Sequence, residues 1–232
     1  MQVNGYFTSH IAGQALSTRR AASHPQGRVR MKTSTPLVLI IEHSLPTLSN
    51  LRRILQPAGY RLCGFSSLKD LQARTAELNA PSCALVDLDL PGGGGLSVQK
   101  FLAKQYANIP VIFIARHPSV ASTVKAVKAG ALDVVAGPFV AQHLKRIVHT
   151  AIVQERRSRQ ERQELADIRR RLNTLTGREA EVLECLLRGL LNKQTAAELG
   201  TSEKTVKVHR GRIMKKMEAQ SFAQLVQLVM RV

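Results

Sequence analysis

The sequence predicts a doubly wound α/β domain with a five-stranded parallel sheet, followed by a small all-α domain of four helices that contains a helix-turn-helix. Three observations lead to this prediction. Strand and helix patterns alternate five times between residues 36 and 153, which is typical of a parallel sheet covered by helices. Beyond residue 172 the apolar patterns have a helical period, and Gly200 marks a tight corner between two helices. A chain of 232 residues is long enough for two domains with separate cores.

The first domain, residues 36–153, is expected to consist of alternating strands and helices. Its strands are short apolar runs, such as residues 37–41, and continuous runs of this kind fit strands that are buried on both faces. We predict strands at 37–41, 59–65, 84–86, 111–114 and 132–135, and helices at 48–55, 68–78, 96–106, 120–128 and 140–153. Sites in such sheets lie at the carboxyl ends of the strands. Here these ends are Glu42, His43, Asp87, Ala115 and the segment 135–138.

Two further segments lie outside the two domains. Residues 1–35 are rich in Ser, Thr, Arg and His and contain no acidic residue, so we expect a disordered basic tail, or else translation from Met31. Residues 154–172 are expected to form a helical linker, because the polar stretch 154–164 is followed by apolar Leu165, Ile168 and Leu172. One extended or two-part helix, solvated in its middle, would connect the domains and could pair with its copy in a dimer.

The second domain, residues 173–232, carries clear helix start and stop signals. Thr176 and Glu179 have the spacing of a capping box, and the helix that they begin runs to Arg188, where Gly189 stops it. We predict the remaining helices at 193–199, 203–217 and 222–230.

The second and third of these helices form the predicted helix-turn-helix. Gly200 supplies the left-handed residue that ends one helix, and Ser202 can cap the next. Val206, Ile213 and Met217 recur at helical spacing and should face the core, while the basic residues face outward or flank this seam.

The composition favours a nucleic-acid partner. A net charge of +18 and a pI near 10.8 indicate a polyanionic partner, and nucleic acid suits them better than a membrane surface. The sequence has no apolar run of roughly 18 residues, so no segment is expected to span a membrane. The three cysteines, Cys63, Cys83 and Cys185, lack metal-ligand and disulfide spacing, and we expect buried thiols in a reducing cytoplasm. No catalytic constellation is recognisable, so we expect neither an enzyme nor a cofactor.

Three blocks of the second domain resemble the DNA-binding domain of the LuxR/FixJ transcription factors. They are LTGREAEVLECL (175–186), GLLNKQTAAELG (189–200) and SEKTVKVHRGRIMKKM (202–217). The resemblance extends from residue 175 to about 232 and implies binding to double-stranded DNA. It also implies that the last helix pairs two copies on DNA; the alternative is that this helix only closes the core.

The candidate DNA contacts lie mainly on the third helix of that domain. The N-terminal part of a recognition helix usually enters the major groove, where a lysine can donate to guanine and a valine can touch a thymine methyl group. We expect base contacts from Lys204, Thr205, Lys207, Val208 and His209, with Arg212 close by. Phosphate contacts, which give affinity without sequence preference, are expected from Lys193, Thr195, Lys215 and Lys216.

The first domain resembles the receiver domain of two-component response regulators over residues 36–153. The resemblance is carried by AGYRLCGFSS (58–67), CALVDLDLPGGGGLSVQ (83–99), IPVIFIARH (109–117) and AVKAGALDVVAGPF (126–139). It implies that Asp87 stands at the phosphoacceptor position and that a histidine kinase or another signalling protein is a partner. In that family an acidic pair and the acceptor hold a divalent ion, while a hydroxyl and a lysine bind the phosphoryl oxygens.

This sequence departs from the receiver pattern around Asp87. The acidic pair is Glu42 and His43, the hydroxyl position is Ala115, and the lysine position is Gly137. Mg2+ prefers oxygen ligands, so a histidine is a poor replacement, although Asp89 could donate a carboxylate. Each lost charge-assisted contact should cost about 1.5–3 kcal/mol. We therefore expect neither firm binding of Mg2+ nor normal phosphorylation of Asp87.

These observations predict a bacterial transcription regulator that binds DNA as a homodimer in the cytoplasm, associated with the nucleoid. Its receiver would act without phosphorylation, as a module for dimerisation or signal sensing. Two alternatives remain open. One is a conventional response regulator in which Asp87 is phosphorylated with the help of Glu42. The other is a receiver that binds a small molecule or a partner protein near His43, Asp87 and Gly137.

Overall fold

The computed structural model describes residues 35–75, 78, 82–91, 94–106 and 109–232. Of the predicted basic tail, residues 1–34 lie outside the described part of the chain and residue 35 lies within it. Within them no helix is both long enough and apolar enough to cross a membrane.

The first domain is built on a parallel five-stranded sheet, as predicted. Its strands are β1 (Leu37–Ile41), β2 (Arg61–Phe65), β3 (Cys83–Asp87), β4 (Val111–Ala115) and β5 (Asp133–Ala136), in the order β2-β1-β3-β4-β5. Every residue of β1, β3 and β4 is buried, which explains why these strands are continuous apolar runs.

Helices cover both faces of the sheet. They are α1 (Leu45–Leu55), α2 (Leu68–Ala73), α3 (Gly94–Gln105), α4 (Val120–Lys128) and α5 (Ala141–Leu172). The buried residues of α1 and α5 pack on one face, and those of α2, α3 and α4 pack on the other. The sheet is therefore doubly wound, and the fold class is confirmed.

Two helices differ most from their predicted bounds. The helix predicted at 68–78 ends at Ala73, and the Thr75 hydroxyl donates to the carbonyl oxygen of Leu71 at 2.8 Å. Hydroxyl side chains that bond to the backbone in this way compete with helical hydrogen bonds. The helix predicted at 140–153 does not stop there, because α5 continues without a break through the predicted linker.

The middle of α5 is not wholly solvated, contrary to the prediction. Glu155 is 3% exposed, and its Oε1 accepts a hydrogen bond from Arg159 Nε at 2.8 Å. Arg162 lies 3.5 Å from the same oxygen. A buried carboxylate can be tolerated when cations of this kind compensate its charge. Further along α5, Ile168 is buried in the core of the second domain.

The second domain contains α6 (Gly177–Leu187), α7 (Asn192–Glu198), α8 (Glu203–Lys216) and α9 (Phe222–Val229). The predicted capping box is present, since Thr176 Oγ1 accepts from Glu179 N–H and Glu179 Oε2 accepts from Thr176 N–H. The core joins buried residues of α6, α7, α8 and α9.

The three cysteines are free, but Cys63 is only half-buried. Burial raises the pKa of the Cys83 thiol to about 12, so this sulfur stays protonated at neutral pH.

Candidate functional site

The first candidate site lies where β1 and β3 end. These strands are parallel neighbours with Ile41 opposite Val86, so the residues that follow them meet at one edge of the sheet. His43 Nδ1 lies 2.7 Å from Asp87 Oδ2. Since a carboxylate can only accept a hydrogen bond, the imidazole donates it. The structure thus brings together the histidine of the altered acidic pair and the aspartate at the acceptor position.

Both carboxylates of this cluster are buried and held by backbone donors. The Ser44 N–H donates to Glu42 Oε1 at 2.8 Å, and the Asp89 N–H donates to Asp87 Oδ1 at 3.0 Å. The side chains of Glu42 and Asp87 are 5% and 9% exposed, whereas that of His43 is 42% exposed. Burial raises the pKa of the Glu42 carboxyl above its usual value, although the bond from Ser44 opposes this rise.

The residue at the hydroxyl position closes one wall of the same cavity. Ala115 is 3% exposed and borders a cavity of about 310 Å³. The cavity is lined by Glu42, His43, Thr47, Asp87, Asp89, Ile114, Ala115, Arg116, His117 and Phe139. The Asp89 side chain reaches this wall but is not part of the cluster formed by the other acidic groups and His43.

Gly137 borders a neighbouring cavity of about 590 Å³, which shares four residues with the first. A Cβ atom at Gly137 would meet its nearest neighbour, Arg116 Cα, at 3.6 Å, which is ordinary contact. The absence of a lysine here is therefore not imposed by crowding.

Arg116 and His117 line both cavities and were missed in the sequence analysis. They directly follow β4, so their position at the carboxyl end of a parallel strand could have identified them. The charge of Arg116 favours the ionised form of Glu42 and lowers its pKa slightly against the effect of burial.

The cluster does not fit Mg2+. This ion requires near-ideal octahedral coordination by oxygen, and the position of the second carboxylate is taken by the His43 nitrogen. The hydrogen bond from that nitrogen to Asp87 Oδ2 would also have to break before an ion could bind between them.

The second candidate site is the helix-turn-helix formed by α7 and α8. Gly200 has φ +60°, the left-handed value that the sequence predicted, and the Ser202 hydroxyl accepts from Thr205 N–H. Val206, Ile213 and Met217 are each 0% exposed, as expected for the inward face. These contacts fix α8 against the core and leave its opposite face exposed.

The exposed face of α8 is basic. It consists of Glu203, Lys204, Lys207, Val208, Gly211, Arg212 and Lys215, and Lys193 at the start of α7 is also exposed. The one acidic member, Glu203, lies 3.3 Å from Lys207 Nζ in an exposed pair. Such pairs contribute little stability, so Lys207 can exchange this partner for another at low cost. Thr205 and His209 are half-buried at the border of this face.

Two of the residues predicted to contact phosphates are buried or paired within the domain. Thr195 is 0% exposed, because α7 buries this position against the core. Lys216 is engaged within the domain: its Nζ donates to Glu179 Oε2 at 2.6 Å and to the Thr174 carbonyl oxygen at 2.8 Å. This pairing, chiefly the hydrogen bond from Lys216, lowers the pKa of Glu179 to about 2. Lys216 is therefore a structural cation.

The last helix is used largely for the core. Leu225 is fully buried, and Phe222, Leu228 and Val229 pack against the same cluster. Met230 and Val232, which follow α9, are 56% and 45% exposed. One copy of the chain thus buries Leu225 fully and the other apolar side chains of α9 in part.

Comparison with known families matches both parts of the chain. Residues 38–149 match the response regulator receiver domain, and residues 173–229 match the bacterial regulatory proteins of the luxR family. Nodulation protein W of Bradyrhizobium diazoefficiens is 35% identical over 203 residues, which cover 88% of this chain and 89% of that protein. The transcriptional regulatory protein FixJ of the same organism is 32% identical over 196 residues, covering 84% and 94%.

Solved structures give the same picture. The response regulator StyR superimposes with a TM-score of 0.78 at 34% identity, covering 86% of this chain and all of that one. Full-length FixJ from B. japonicum superimposes with a TM-score of 0.53 at 30% identity, covering 85% and 98%.

Proposed function

Because the chain belongs to the LuxR/FixJ family of response regulators, we propose that it is a DNA-binding transcription regulator whose receiver works without phosphorylation of Asp87. The hydrogen bond from His43 to Asp87 carries the second half of this proposal. A carboxylate oxygen that attacks a phosphoryl group becomes less nucleophilic when it accepts hydrogen bonds, and the transfer needs nearby cations that neutralise the crowded negative charge. Here Asp87 Oδ2 accepts from His43 Nδ1, and Oδ1 accepts from the Asp89 N–H.

The missing contacts add to this obstacle. A divalent ion, a hydroxyl and a lysine would each contribute a charge-assisted contact, and their positions are altered at His43, Ala115 and Gly137. At about 1.5–3 kcal/mol for each contact, the loss amounts to roughly 4.5–9 kcal/mol. At about tenfold per 1.4 kcal/mol, transfer would be slowed roughly a thousandfold to a millionfold.

The test is the intact mass of the full chain after incubation with a small acyl phosphate and Mg2+. We expect no phosphoryl adduct on the unaltered chain. The matched variant is H43D/A115T/G137K, which restores the acidic, hydroxyl and lysine side chains of the family. A Cβ atom at position 137 makes only ordinary contacts. We expect this variant to gain one adduct that Asp87→Ala removes. A single adduct on the unaltered chain, abolished by Asp87→Ala, would instead support the conventional phosphorylated regulator.

The exposed basic face of α8 supports sequence-specific binding to double-stranded DNA. Lys204, Lys207, Val208 and Arg212 are the exposed residues that we assign to the major groove, with Thr205 and His209 at its border. Lys193 and Lys215 are assigned to phosphates. Binding to DNA selected from a random pool, without any phosphodonor, would test this assignment. Equal affinity for selected and random DNA would contradict it.

Homodimerisation is supported by an exposed apolar stripe on α4 rather than by α9. Val120, Val124 and Val127 are 82%, 43% and 54% exposed and recur at the spacing of one helical face. Exposed apolar groups in such a row favour association between copies. We expect the double variant V120K/V127K to shift the mass measured by light scattering from dimer to monomer. A dimer that persists would place the contact elsewhere.

A second candidate function is supported by the cavity of about 310 Å³ beside the cluster. Its lining combines carboxylates with the guanidinium of Arg116 and with His117, and convergent polar groups of this kind can orient a small molecule or a partner protein. A rise in melting temperature with a ligand, lost in Arg116→Ala, would support this function.

As a DNA-binding regulator, the chain would act in the bacterial cytoplasm at the nucleoid.

A further inference from the structure

The cluster of Glu42, His43 and Asp87 combines two carboxylates and one imidazole at the ends of β1 and β3. One ligand atom from each of these residues lies within 4.8 Å of the others. We propose that this cluster binds a divalent transition-metal ion that accepts nitrogen ligands, such as Zn2+ or Co2+, in place of the Mg2+ of a conventional receiver. This inference does not depend on DNA binding. Such an ion would supply neither the hydroxyl missing at Ala115 nor the lysine missing at Gly137, so the expectation that Asp87 is not phosphorylated stands.

The separations between ligand atoms fit such an ion after a small adjustment. Zinc is held at about 2.0–2.2 Å from nitrogen and oxygen ligands, so two ligands of a tetrahedral ion are roughly 3.3 Å apart. His43 Nδ1 lies 3.5 Å from Glu42 Oε1 and 2.7 Å from Asp87 Oδ2. The second pair has to separate by roughly half an ångström as the ion replaces the shared proton. The ligand atoms of Glu42 and Asp87 lie within 4.8 Å of each other, so this pair can close around the ion.

The carboxylates are already oriented for this role. Glu42 Oε1 and Asp87 Oδ1 each accept a backbone N–H, from Ser44 and Asp89 respectively. Outer hydrogen bonds of this kind are a regular feature of metal sites, because they fix the direction of the ligand's remaining lone pairs. Both carboxylates are buried, whereas His43 is 42% exposed, which leaves a path for the ion to enter and room for a water ligand.

The charge and the donor types select the class of metal. Two carboxylates outnumber Arg116, a cation that lines the same cavity, so the cluster still favours a divalent cation. His117 also lines the cavity and adds a second imidazole near the cluster. An imidazole suits Zn2+, Co2+ and Ni2+, while Mg2+ prefers oxygen ligands throughout. The change from acid to His43 that impairs Mg2+ binding therefore improves the site for a transition metal.

The test measures Zn2+, Co2+ and Mg2+ binding to the untagged, metal-free full chain by equilibrium dialysis with elemental analysis. We expect one equivalent of Zn2+, together with a visible absorption band when Co2+ replaces it. His43→Ala removes one of the three ligand residues and should weaken Zn2+ binding by more than about tenfold, the loss already caused by removing a group that only hydrogen-bonds to a metal ligand. His149→Ala, which alters an exposed histidine on α5, is the matched control and should bind Zn2+ like the unaltered chain.

Circular dichroism would reveal whether His43→Ala folds. His43→Asp serves as a second variant in case it does not. His43→Asp restores an all-oxygen site, and we expect it to lose affinity for Zn2+ and gain affinity for Mg2+. Zinc binding that is equal in the unaltered chain, His43→Ala and His43→Asp would overturn the proposal. Absence of bound Zn2+ from the unaltered chain would overturn it as well.

Discussion

Replacing Lys216 by methionine is expected to destabilise the C-terminal domain rather than to remove a DNA contact. Lys216 Nζ is bonded to Glu179 Oε2 and to the Thr174 carbonyl oxygen, and the Glu179 side chain is 3% exposed. Methionine preserves much of the apolar stem but leaves the Glu179 charge without its cation. Breaking a fully buried pair costs about 3–5 kcal/mol. Because Lys216 is 32% exposed and water can replace part of its contacts, we expect a loss of about 2–4 kcal/mol.

Hydrogen exchange measured by mass spectrometry on the full chain can localise this effect. Peptides from α6 and α8 should exchange faster in the variant, and peptides from β1 should be unchanged because they belong to the other domain. Each 1.4 kcal/mol changes an equilibrium constant about tenfold. A loss of about 2–4 kcal/mol therefore increases the population of molecules in which the domain is open to exchange by roughly 30- to 700-fold. Lys215→Met is the matched control, since it removes the same charge from an exposed neighbouring position.

The pH dependence gives a second check on the same pair. The pKa of Glu179 is lowered from 4.5 to about 2 in the folded chain, so its ionised form is favoured by folding. The resulting stability is fully present above pH 4.5 and is lost as the pH falls toward about 2. The difference between the unaltered chain and Lys216→Met should therefore shrink over this interval. Unchanged exchange in α6 and α8, together with weaker DNA binding, would refute the structural role of Lys216.

Three further outcomes follow from individual positions. Lys207→Ala should lose preference for the selected DNA, whereas Lys215→Ala should weaken binding to all DNA alike. Titration at several salt concentrations should show that Lys215→Ala also reduces the slope of log affinity against log salt by about 1. Gly95→Ala should destabilise the receiver by about 1–3 kcal/mol in thermal melts. The reason is that a Cβ atom at position 95 would overlap the Asp87 carbonyl oxygen and lie 2.7 Å from Phe113 Cε1. Gly211→Ala is the control and should not destabilise the chain, because a Cβ atom there lies in open space. Thr195→Val should leave DNA affinity unchanged and raise stability by about 1 kcal/mol, because the buried Thr195 hydroxyl has no partner among the described residues.

The sequence was sufficient to predict the fold because local patterns determine it. The strands are mostly apolar runs of four or five residues. The end of α7 depends on Gly200 and the start of α8 on Ser202. The residues at the carboxyl ends of β1, β3 and β4 could also be predicted, since a parallel sheet brings those ends together. Each of these inferences needs only neighbours along the chain or one rule of topology.

The contacts that the sequence did not reveal join residues far apart in the chain. Lys216 and its neighbour Lys215 look alike in the sequence, and only the packing of α6 against α8 brings Glu179 within reach of one of them. Thr195 lies on a helix of seven residues, where the period is too short to tell an inward position from an outward one. Glu155 is a similar case, because its burial depends on how α5 leaves the sheet rather than on the polar residues around it.

The receiver fold persists although the side chains around Asp87 have changed. Backbone atoms maintain the fold, whereas side-chain atoms would carry out phosphoryl transfer. Backbone bonds hold the strand ends together: the Gly137 N–H donates to the Ala115 carbonyl oxygen at 2.8 Å, and the Leu88 N–H donates to the Ile114 carbonyl oxygen at 2.9 Å. Neither bond requires a hydroxyl at position 115 or an ammonium group at position 137. Acidic side chains that crowd one edge of a sheet do require compensation, however, since buried like charges repel one another. Here the hydrogen bond from His43 stabilises the Asp87 carboxylate from within the chain, so the pocket holds Asp87 in place without a bound phosphoryl group.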